Sequence, residues 1–452
     1  MASSSDGAVG SPPVTRQQKT LAGFASVIGT TIEWYDYFLY GTAAALVFPA
    51  VFFPSSSSYS GTLDSFATYA VGFAARPVGA AIFGHWGDRL GRKATLIVTL
   101  LLMGIGSALV GCLPGTKTIG VAAPILLVVL RVIQGVAIGG EWSGSVLLSM
   151  EWGSQKRRGL MGSWAQAGVP IGLLLGTGMM TAIALSAPAA FAAWAWRIPF
   201  LVSLILVAIG LWIRLKVMET PLFEQITQRQ EVAKVPVSEV IKRHPKEIIL
   251  SALLRMSEQA PFYVYTTFIL DYLKTHLGQT EGFALGAISI AGALELFLTP
   301  YFGHLSDRLG RRKLYVTGAA LMAVVAFPLF LLVNTRSPGL IIVGVLLIAL
   351  AHCMQYGPQA AYIAESFPTR LGYAGSGLGY QLASVIAGGP APLLATWMLA
   401  SFGWQAIAVY IIACAVITLV AAAFLRDRSR EELATGVPSP DVGTAGATGA
   451  AV

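Results

Sequence analysis

The chain has 452 residues, of which 55% are hydrophobic and 12% are charged. Soluble domains carry about 25% charged residues, so this composition excludes a water-soluble protein and indicates one that crosses a lipid bilayer many times. The net charge of +8 does not predict a nucleic-acid partner, because most basic residues fall in loops on one predicted side of the membrane.

Twelve apolar segments are long enough to cross a hydrocarbon core, which takes about 20 residues per helix. The first half contains six of them, at residues 21–48, 63–84, 94–113, 121–150, 160–185 and 196–216. The second half contains the other six, at residues 248–273, 284–304, 314–333, 340–366, 372–399 and 404–425. We therefore predict an all-α membrane protein with twelve transmembrane helices in two pseudo-symmetric six-helix bundles, residues 20–217 and 248–426.

The segments outside the bundles are polar. Residues 1–19 and 427–452 are rich in small residues and offer little to bury, so we predict that both are disordered. Residues 218–247 form a central loop between the bundles. Lys and Arg concentrate in these segments and in the even-numbered turns, and short cytoplasmic loops retain positive charge. Both termini and the central loop are therefore predicted to be cytoplasmic.

Four ionisable residues lie deep within predicted spans of the first half. Glu33 and Asp36 are three residues apart and share one helix face, and Arg76 and Arg131 lie at a similar depth in the second and fourth spans. A charge at the bilayer centre costs at least about 2.5 kcal/mol, so these groups should face one another or a wet cavity. They either neutralise each other for structural reasons or carry function, and both interpretations remain open.

The functional interpretation gives each group a role. Asp36, with Glu33, would carry a proton, because a carboxylate beside an arginine changes its proton affinity when that arginine turns to an anionic substrate. Arg76 and Arg131 would receive a substrate carboxylate, since a guanidinium donates two parallel hydrogen bonds to it. Gln134, one turn from Arg131, could add a neutral hydrogen bond.

The second half offers weaker candidates. Polar and aromatic side chains that could contact a substrate, or simply pack in the core, are Tyr37 of the first half and Tyr263, Tyr265, Gln355 and Tyr356. Arg255 and Glu258 are spaced to pair along one helix. Glu295 has no obvious partner and is first interpreted as neutral or linked to water, and His352 as a hydrogen-bonded filler that can titrate near neutrality.

A polar stretch occurs twice, each time between two apolar runs. Residues 84–93 read GHWGDRLGRK and residues 303–313 read GHLSDRLGRRK. The repeat indicates a duplicated membrane protein whose paired bundles enclose a central pathway, as in many secondary transporters.

Enzymatic and metal chemistry find little support in the sequence. Cys112, Cys353 and Cys414 sit singly in predicted spans, so neither a disulfide framework nor a metal site is indicated. No phosphate-binding loop or nucleophile elbow is found, so no enzyme and no cofactor are predicted. The predicted partners are a small-molecule substrate, a proton and the lipid bilayer, with a monomer as the working unit.

The repeated stretch resembles the signature of the major facilitator superfamily, and Arg131 with Gly135 resembles its fourth-helix proton-transporter motif. Segments similar to the metabolite:proton symporter family within it are EWYDY at 33–37, GGEW at 139–142, WRIPF at 196–200 and ETPLF at 219–223. Residues 41–48 resemble its shikimate-permease branch. The resemblance implies a multi-pass carrier of the bacterial inner membrane that works by alternating access, with Asp36 and Arg131 as a pair across the first and fourth helices.

The resemblance also implies a gating role for the repeated loops. Asp88 would lie at the amino end of the eleventh helix, near Gly372, where a partial positive charge favours a carboxylate. Arg92 would reach Glu151, and Asp307 and Arg311 would mirror these contacts, with Gly84, Arg89, Gly91 and Arg308 in the same gating loops. Such contacts would hold the cytoplasmic side closed in one state and release in the other. The same basic residues also serve as topology anchors.

Taken with the resemblance, the residues predict proton symport of a small organic acid, such as shikimate or a di- or tricarboxylate, into the cell. An alternative cargo is a zwitterionic osmolyte such as proline or betaine, whose ammonium group could pack against Trp34, Tyr35 or Tyr37. A receptor or channel built on the same bundle is an alternative of a different class.

Overall fold

The computed structural model describes residues 16–54, 58–152, 155–216 and 235–431. All regular structure in these residues is helical. Most of both predicted tails and of the central loop, at residues 1–15, 217–234 and 432–452, lies outside the described residues.

Six long helices form the first half of the chain. They are α1 Arg16–Leu46, α2 Ser58–Leu90, α3 Arg92–Cys112, α4 Ala122–Trp152, α5 Arg158–Ser186 and α6 Ile198–Lys216. Shorter helical turns connect them at Phe48–Phe52, Thr116–Ile119, Gln155–Arg157, Pro188–Ala193 and Ala195–Arg197.

The second half repeats this plan with six segments, two of which are interrupted. The continuous helices are α8 Glu281–Leu309, α9 Arg311–Val333, α10 Pro338–Ala364 and α12 Trp404–Phe424. Segment α7 consists of Pro245–Leu254, Met256–Tyr263, Ile269–Asp271 and the π-helical turns Val264–Phe268 and Tyr272–His276. Segment α11 consists of Gly372–Ala383, the π-helical turn Ser384–Gly388 and Pro390–Phe402. Such π turns often mark functional sites.

The helices account for the twelve predicted spans. Ten helices of the described chain are long and apolar enough to cross a membrane. The other two spans are α1 and α7, the first element of each half. Glu33 and Asp36 make α1 more polar, and α7 is broken into short pieces. Both of these elements carry buried acids, Glu33 and Asp36 in α1 and Glu258 in α7.

Ordered structure extends into all three segments that were predicted to lie outside the bundles. Helix α1 begins at Arg16, inside the segment 1–19 that we expected to be disordered, because Gln, Lys and Arg form helix well beyond the apolar span. The central loop contains a helix, Pro236–Arg243, which buries Val240. The start of the predicted tail is held in place, since Asp427 accepts hydrogen bonds from the backbone of Arg312 and Ser429.

The two most extensive helix contacts between the halves are equivalent by the pseudo-symmetry of the chain. Helix α2 packs against α11, and α8 packs against α5. The backbones approach closely, since a Cβ atom placed on Gly84 would lie 2.8 Å from Ala374 Cα. Both pairs meet at the end of the bundle that carries the repeated loops, at residues 90–92, 152–158, 309–311 and 364–372. We call this the basic end.

Candidate functional site

Two arginines of the first half converge on the ring of Tyr37. The Arg76 Cζ atom lies 4.9 Å from the centroid of the Tyr37 ring, and the Arg131 Cζ atom lies 5.4 Å from it. Arg131 is also 4.1 Å from the Tyr40 ring centroid. Together with two further rings these residues form what we call the guanidinium cluster: Tyr37, Tyr40, Tyr69, Phe73, Arg76 and Arg131.

Glycines of α2 and α4 make this convergence possible. A Cβ atom on Gly139 would collide with the carbonyl oxygen of Arg76, and one on Gly135 with that of Gly72. The small residues of α4 therefore let the neighbouring helix α2 come close. Gly72 also leaves room for the Arg131 side chain, because a Cβ atom there would lie 2.6 Å from Arg131 Nε.

Among the described residues, neither arginine of the cluster has a carboxylate within ion-pair distance. Arg76 and Arg131 are only 2% and 1% exposed. Neither forms an ion pair with any carboxylate of the described residues, and the Nε atom of each lacks a hydrogen-bond partner. Leaving a buried charge without its partner is strongly unfavourable, so an anion between these two groups would be strongly favoured.

Asp36 is linked to Arg131 through neutral side chains. Its Oδ1 atom accepts a hydrogen bond from Ser203 Oγ at 2.5 Å, and Ser107 also interacts with this carboxyl group. Gln134 accepts from Arg131 Nη1 at 3.4 Å and donates to Ser107 Oγ at 2.8 Å. The direct Asp36–Arg131 ion pair implied by the resemblance is not formed among the described residues, because the guanidinium lies over the Tyr40 ring instead.

Glu33 lies within electrostatic range of Arg76 and of a buried ion pair that the sequence analysis missed. That pair joins Arg214 of α6 to Glu141 of α4, which also accepts a hydrogen bond from Thr99 at 2.9 Å. The Arg214 side chain is buried, although Lys and Arg at the end of a span usually face the cytoplasm. An acid at position 141 inside an apolar span signals such a partner.

Aromatic rings close the space between the halves above the guanidinium cluster. The Tyr263 ring centroid lies 5.7 Å from that of Tyr37, and the Phe262 centroid lies 5.9 Å from that of Trp34. Tyr263 of the second half thus contacts the guanidinium cluster of the first half. The Tyr35 hydroxyl points elsewhere, because it donates a hydrogen bond to the carbonyl of Pro199 at 2.7 Å within the first half.

The other predicted contact residues belong to the interior of the second half. Gln355 accepts a hydrogen bond from Ser257 at 2.5 Å and donates to Ala351 at 3.1 Å, so both ends of its amide are occupied. The Tyr356 ring stacks on the His352 ring with centroids 4.9 Å apart. These two residues therefore lie beside a second group of charges.

Those charges form the acid–histidine cluster, which we define as Glu258, Glu295 and His352. The Nε2 and Nδ1 atoms of His352 lie 3.5 Å from Glu258 and 3.2 Å from Glu295. Arg255 pairs with Glu258 at 3.3 Å, as the sequence predicted. The expectation that Glu295 lacks a partner was wrong, because the Tyr265 hydroxyl also donates to it. These partners come from other helices, so sequence spacing could not find them.

At the basic end, the aspartate of each repeated loop caps a helix of the opposite half. Asp88 accepts hydrogen bonds from the backbone N–H groups of Tyr373 and Ala374 at 3.2 and 3.0 Å, at the start of α11. Asp307 accepts in the same way from Gly159 and Leu160 at 2.8 and 3.0 Å, at the start of α5. The carboxylates thus meet the positive ends of two helix dipoles.

Arginines and glutamates complete the contacts at the basic end. The expected Arg92–Glu151 pair is present at 3.2 Å, and Arg311 mirrors it with Glu365 at 3.2 Å. Arg158 adds a contact that the sequence did not predict, because it bridges to Glu365 across the halves at 3.2 Å.

The other residues of the repeated loops are two glycines at the turns and two exposed arginines. Gly91 and Gly310 adopt φ values of 107° and 97°, which favour glycine at the turn in both loops. Arg89 and Arg308 are exposed and join the halves through no contact of the described chain, so a gating role for them stays a prediction.

Known proteins resemble the chain over nearly its whole length. A family model described as the Major Facilitator Superfamily matches residues 27–389 and 252–448. The shikimate transporter of Escherichia coli K12 is 41% identical over 90% of this chain and 95% of its own length. An inner membrane metabolite transport protein of the same organism is 36% identical over 93% and 97%. The proline/betaine transporter of that organism is 32% identical over 92% and 85%.

Solved structures share the fold. The proton:xylose symporter bound to 6-bromo-6-deoxy-D-glucose aligns with a TM-score of 0.73 and 19% identity, covering 91% of this chain and 97% of the symporter. A partially occluded, inward-open form of the Escherichia coli xylose transporter aligns with a TM-score of 0.70 and 21% identity over 92% and 100%. At these identities the likeness concerns the helical architecture alone.

Proposed function

Because the chain belongs to the major facilitator superfamily, as a multi-pass membrane transporter of metabolites and not an enzyme, we propose that it imports a small organic acid together with protons. The site of action is the bacterial inner membrane, with both termini and the basic end in the cytoplasm. Shikimate is the first candidate substrate, since a shikimate transporter is 41% identical to this chain. Di- and tricarboxylates are further candidates.

The observation that carries the proposal is the pair of buried arginines around Tyr37. Two guanidinium groups without a carboxylate partner attract an anion of the right size to lie between them. Their planar forks suit a carboxylate, which each can hold with two hydrogen bonds. Tyr263 approaches the same ring from the second half and would complete the substrate site across the interface.

Proton coupling is assigned to Asp36, with Glu33 beside it. The Oδ1 atom of Asp36 accepts a hydrogen bond from Ser203 in this conformation, and a proton on the buried Oδ2 atom would remove a buried charge. A substrate carboxylate that binds Arg131 would change the hydrogen bonds of Gln134 and Ser107, and through them the proton affinity of Asp36. Proton binding and substrate binding would thus depend on each other.

Alternating access would use the contacts of the basic end as a latch. Asp88, Asp307 and the Arg158–Glu365 pair tie the two halves together there. Breaking them would let the halves rock apart around the central site, with a monomer as the working unit.

Charge accounting limits the energy that drives uptake. One proton carried with a monoanion moves no net charge, so the membrane potential, worth about 2.3 kcal/mol per charge per 100 mV, would not contribute. A dianion needs at least two protons to avoid moving against that potential.

The osmolyte alternative is favoured by one comparison, the proline/betaine transporter at 32% identity. The quaternary ammonium group of betaine would need an aromatic face to bind, yet Arg76 and Arg131 already lie over the Tyr37 ring. Tyr35 faces the interior of the first half. Two cations at the centre therefore favour an organic acid over an osmolyte.

Substrate binding can be tested with purified protein in detergent. A thermal-shift screen with shikimate, oxoglutarate, citrate, proline and betaine should raise the unfolding temperature with an organic acid, because a ligand that binds only the native state stabilises it. Counterflow of radiolabelled shikimate in proteoliposomes then separates a carrier from a channel or receptor. Stabilisation by betaine or proline alone would contradict the proposal.

A further inference from the structure

The acid–histidine cluster of the second half has no part in the mechanism proposed above. Its members Glu258, Glu295 and His352 are 3%, 1% and 1% exposed. They come from three different segments, α7, α8 and α10, and His352 lies between the two carboxylates. Such a convergence of titratable groups inside an apolar bundle points to function more than to packing.

Counted together with Arg255, the cluster carries one more negative charge than positive charge when His352 is neutral. Arg255 compensates one carboxylate, through its ion pair with Glu258. Among the described residues, the other titratable groups that face the cluster are neutral tyrosines and a thiol, namely Tyr263, Tyr265, Tyr315, Cys353, Tyr356 and Tyr380. One proton, held on the imidazole or shared with a carboxylate oxygen, makes the group neutral and removes a cost of at least about 2.5 kcal/mol for a buried charge.

The cluster also touches the interface between the halves. Glu258 accepts a hydrogen bond from Gln359 at 2.8 Å, and Gln359 accepts one from Gln166 of the first half at 3.4 Å. The His352 ring stacks on Phe262 at 4.8 Å, and Phe262 contacts Trp34 of α1. A rocking motion of the halves would therefore change the surroundings of both Glu258 and His352.

We infer that Glu258, Glu295 and His352 form a second proton-binding site, separate from Asp36, so that each transport cycle moves two protons. The inference rests on the proposed proton symport. The cluster takes up one proton from the acidic side and passes from a net charge of minus one to zero. After the halves rock, it releases that proton on the opposite side and returns to minus one.

A bound metal ion is the competing use of these side chains. Donor atoms of Glu295, His352 and Cys353 lie within 4.8 Å of one another. A proton fits better, because Glu295 already accepts a hydrogen bond from Tyr265 and structural zinc takes four protein ligands. Zinc bound in equal amount to the purified protein, measured by elemental analysis, would overturn the proton assignment.

The test measures charge moved per substrate in proteoliposomes with shikimate, a monoanion at neutral pH, as the probe. Currents on a solid-supported membrane are compared with parallel radiolabelled flux. The wild-type protein should move one net positive charge per shikimate, from two protons and one anion. His352→Gln should reduce this to zero while transport continues. The matched control is His276→Gln, because His276 is exposed at the far end of α7.

A second variant guards against misfolding of the first. Glu295→Gln cancels the excess negative charge, so the cluster no longer requires a proton and the charge per shikimate should again fall to zero. Electroneutral transport by the wild type, or an undiminished charge in both variants, would overturn the inference.

A failure of the proposed function can be told apart from a failure of this inference. If no shikimate flux is measured, the cluster can still be tested by labelling the five histidines with ¹⁵N and recording NMR spectra during a pH titration. The His352 signal is assigned as the one that disappears in His352→Gln. The inference predicts that the His352 ring titrates and that Glu295→Gln moves the midpoint. A His352 signal fixed in one neutral tautomer throughout would overturn it.

Discussion

At the scale of single residues, the centre of the molecule separates its charges from their usual partners. Arg131 lies against aromatic rings, and Asp36 is held by a serine hydroxyl. Neutral side chains, Gln134 and Ser107, connect the two. This arrangement lets the charge state of one group act on the other without a direct ion pair.

Asp36→Asn should abolish accumulation of substrate against a gradient. The amide keeps the shape and can still accept from Ser203, but it cannot bind and release a proton. Counterflow, which needs no net proton movement, should persist at a reduced rate. Asp271→Asn is the matched control, because Asp271 accepts from Thr275 at the far end of α7. Proton-driven accumulation by Asp36→Asn at the wild-type level would reject the assignment.

Gly72→Ala should weaken substrate binding by displacing Arg131. The added Cβ would lie 2.6 Å from Arg131 Nε, so the guanidinium must move away from its place beside Tyr37. Losing a charge-assisted hydrogen bond of about 1.5–3 kcal/mol corresponds to a rise in KM of roughly ten-fold or more. Gly178→Ala meets nothing within 4 Å and should leave KM unchanged. Equal KM values for both variants in uptake assays would contradict this role of Gly72.

At the scale of elements, the two halves meet through capped helices. The amino ends of α5 and α11 each receive an aspartate from the opposite half. These contacts follow the pseudo-symmetry of the chain. The Arg158–Glu365 pair departs from this symmetry. The residue of the second half that corresponds to Arg158 in the sequence is Gly372, which has no side chain to form the equivalent bridge.

Asp88→Asn and Asp307→Asn should each open the basic end by a similar amount. Each substitution removes a carboxylate worth about 0.3–1 kcal/mol at a helix amino end, which corresponds to a roughly two- to five-fold change in population. Spin labels on Leu90 and Leu309, both exposed at the basic end, would report this as a longer distance component in a background without native cysteines. Asp271→Asn serves as control. Identical distance distributions in all variants would rule out the latch.

Arg214→Met should destabilise the first half, because it leaves Glu141 charged and buried between α3, α4 and α6. Removing one partner of a buried ion pair costs about 3–5 kcal/mol. The double variant Arg214→Met with Glu141→Gln should recover most of the loss, and Lys216→Met, at an exposed neighbour, should change little. Denaturant unfolding in detergent measures each free energy. A double variant no more stable than Arg214→Met would contradict the pairing.

The repeated loops could be predicted from sequence because the same polar stretch stands between apolar runs in both halves. Its glycine, aspartate and arginine therefore occupy equivalent places, and the family resemblance implied the Arg92–Glu151 contact. The Arg158–Glu365 pair did not follow. Which side chain crosses the interface depends on how the halves face each other, and no local spacing carries that information.

At the scale of the whole molecule, two of the buried polar clusters lie in opposite halves. The guanidinium cluster lies in the first half and the acid–histidine cluster in the second, with Tyr263 and Phe262 between them. Counting residues from the start of each predicted span indicated that Glu33, Asp36, Arg76 and Arg131 lie at a similar depth in the membrane. It could not predict the aromatic surroundings or the second set, because both depend on helix rotation and on contacts between different helices.

The most direct measurement is uptake of radiolabelled shikimate by proteoliposomes whose interior is more alkaline than the medium. If the central site binds an organic acid and a proton together, shikimate should accumulate inside, and a protonophore should abolish the accumulation. Shikimate fluxes that are the same with and without the imposed pH gradient would contradict the account.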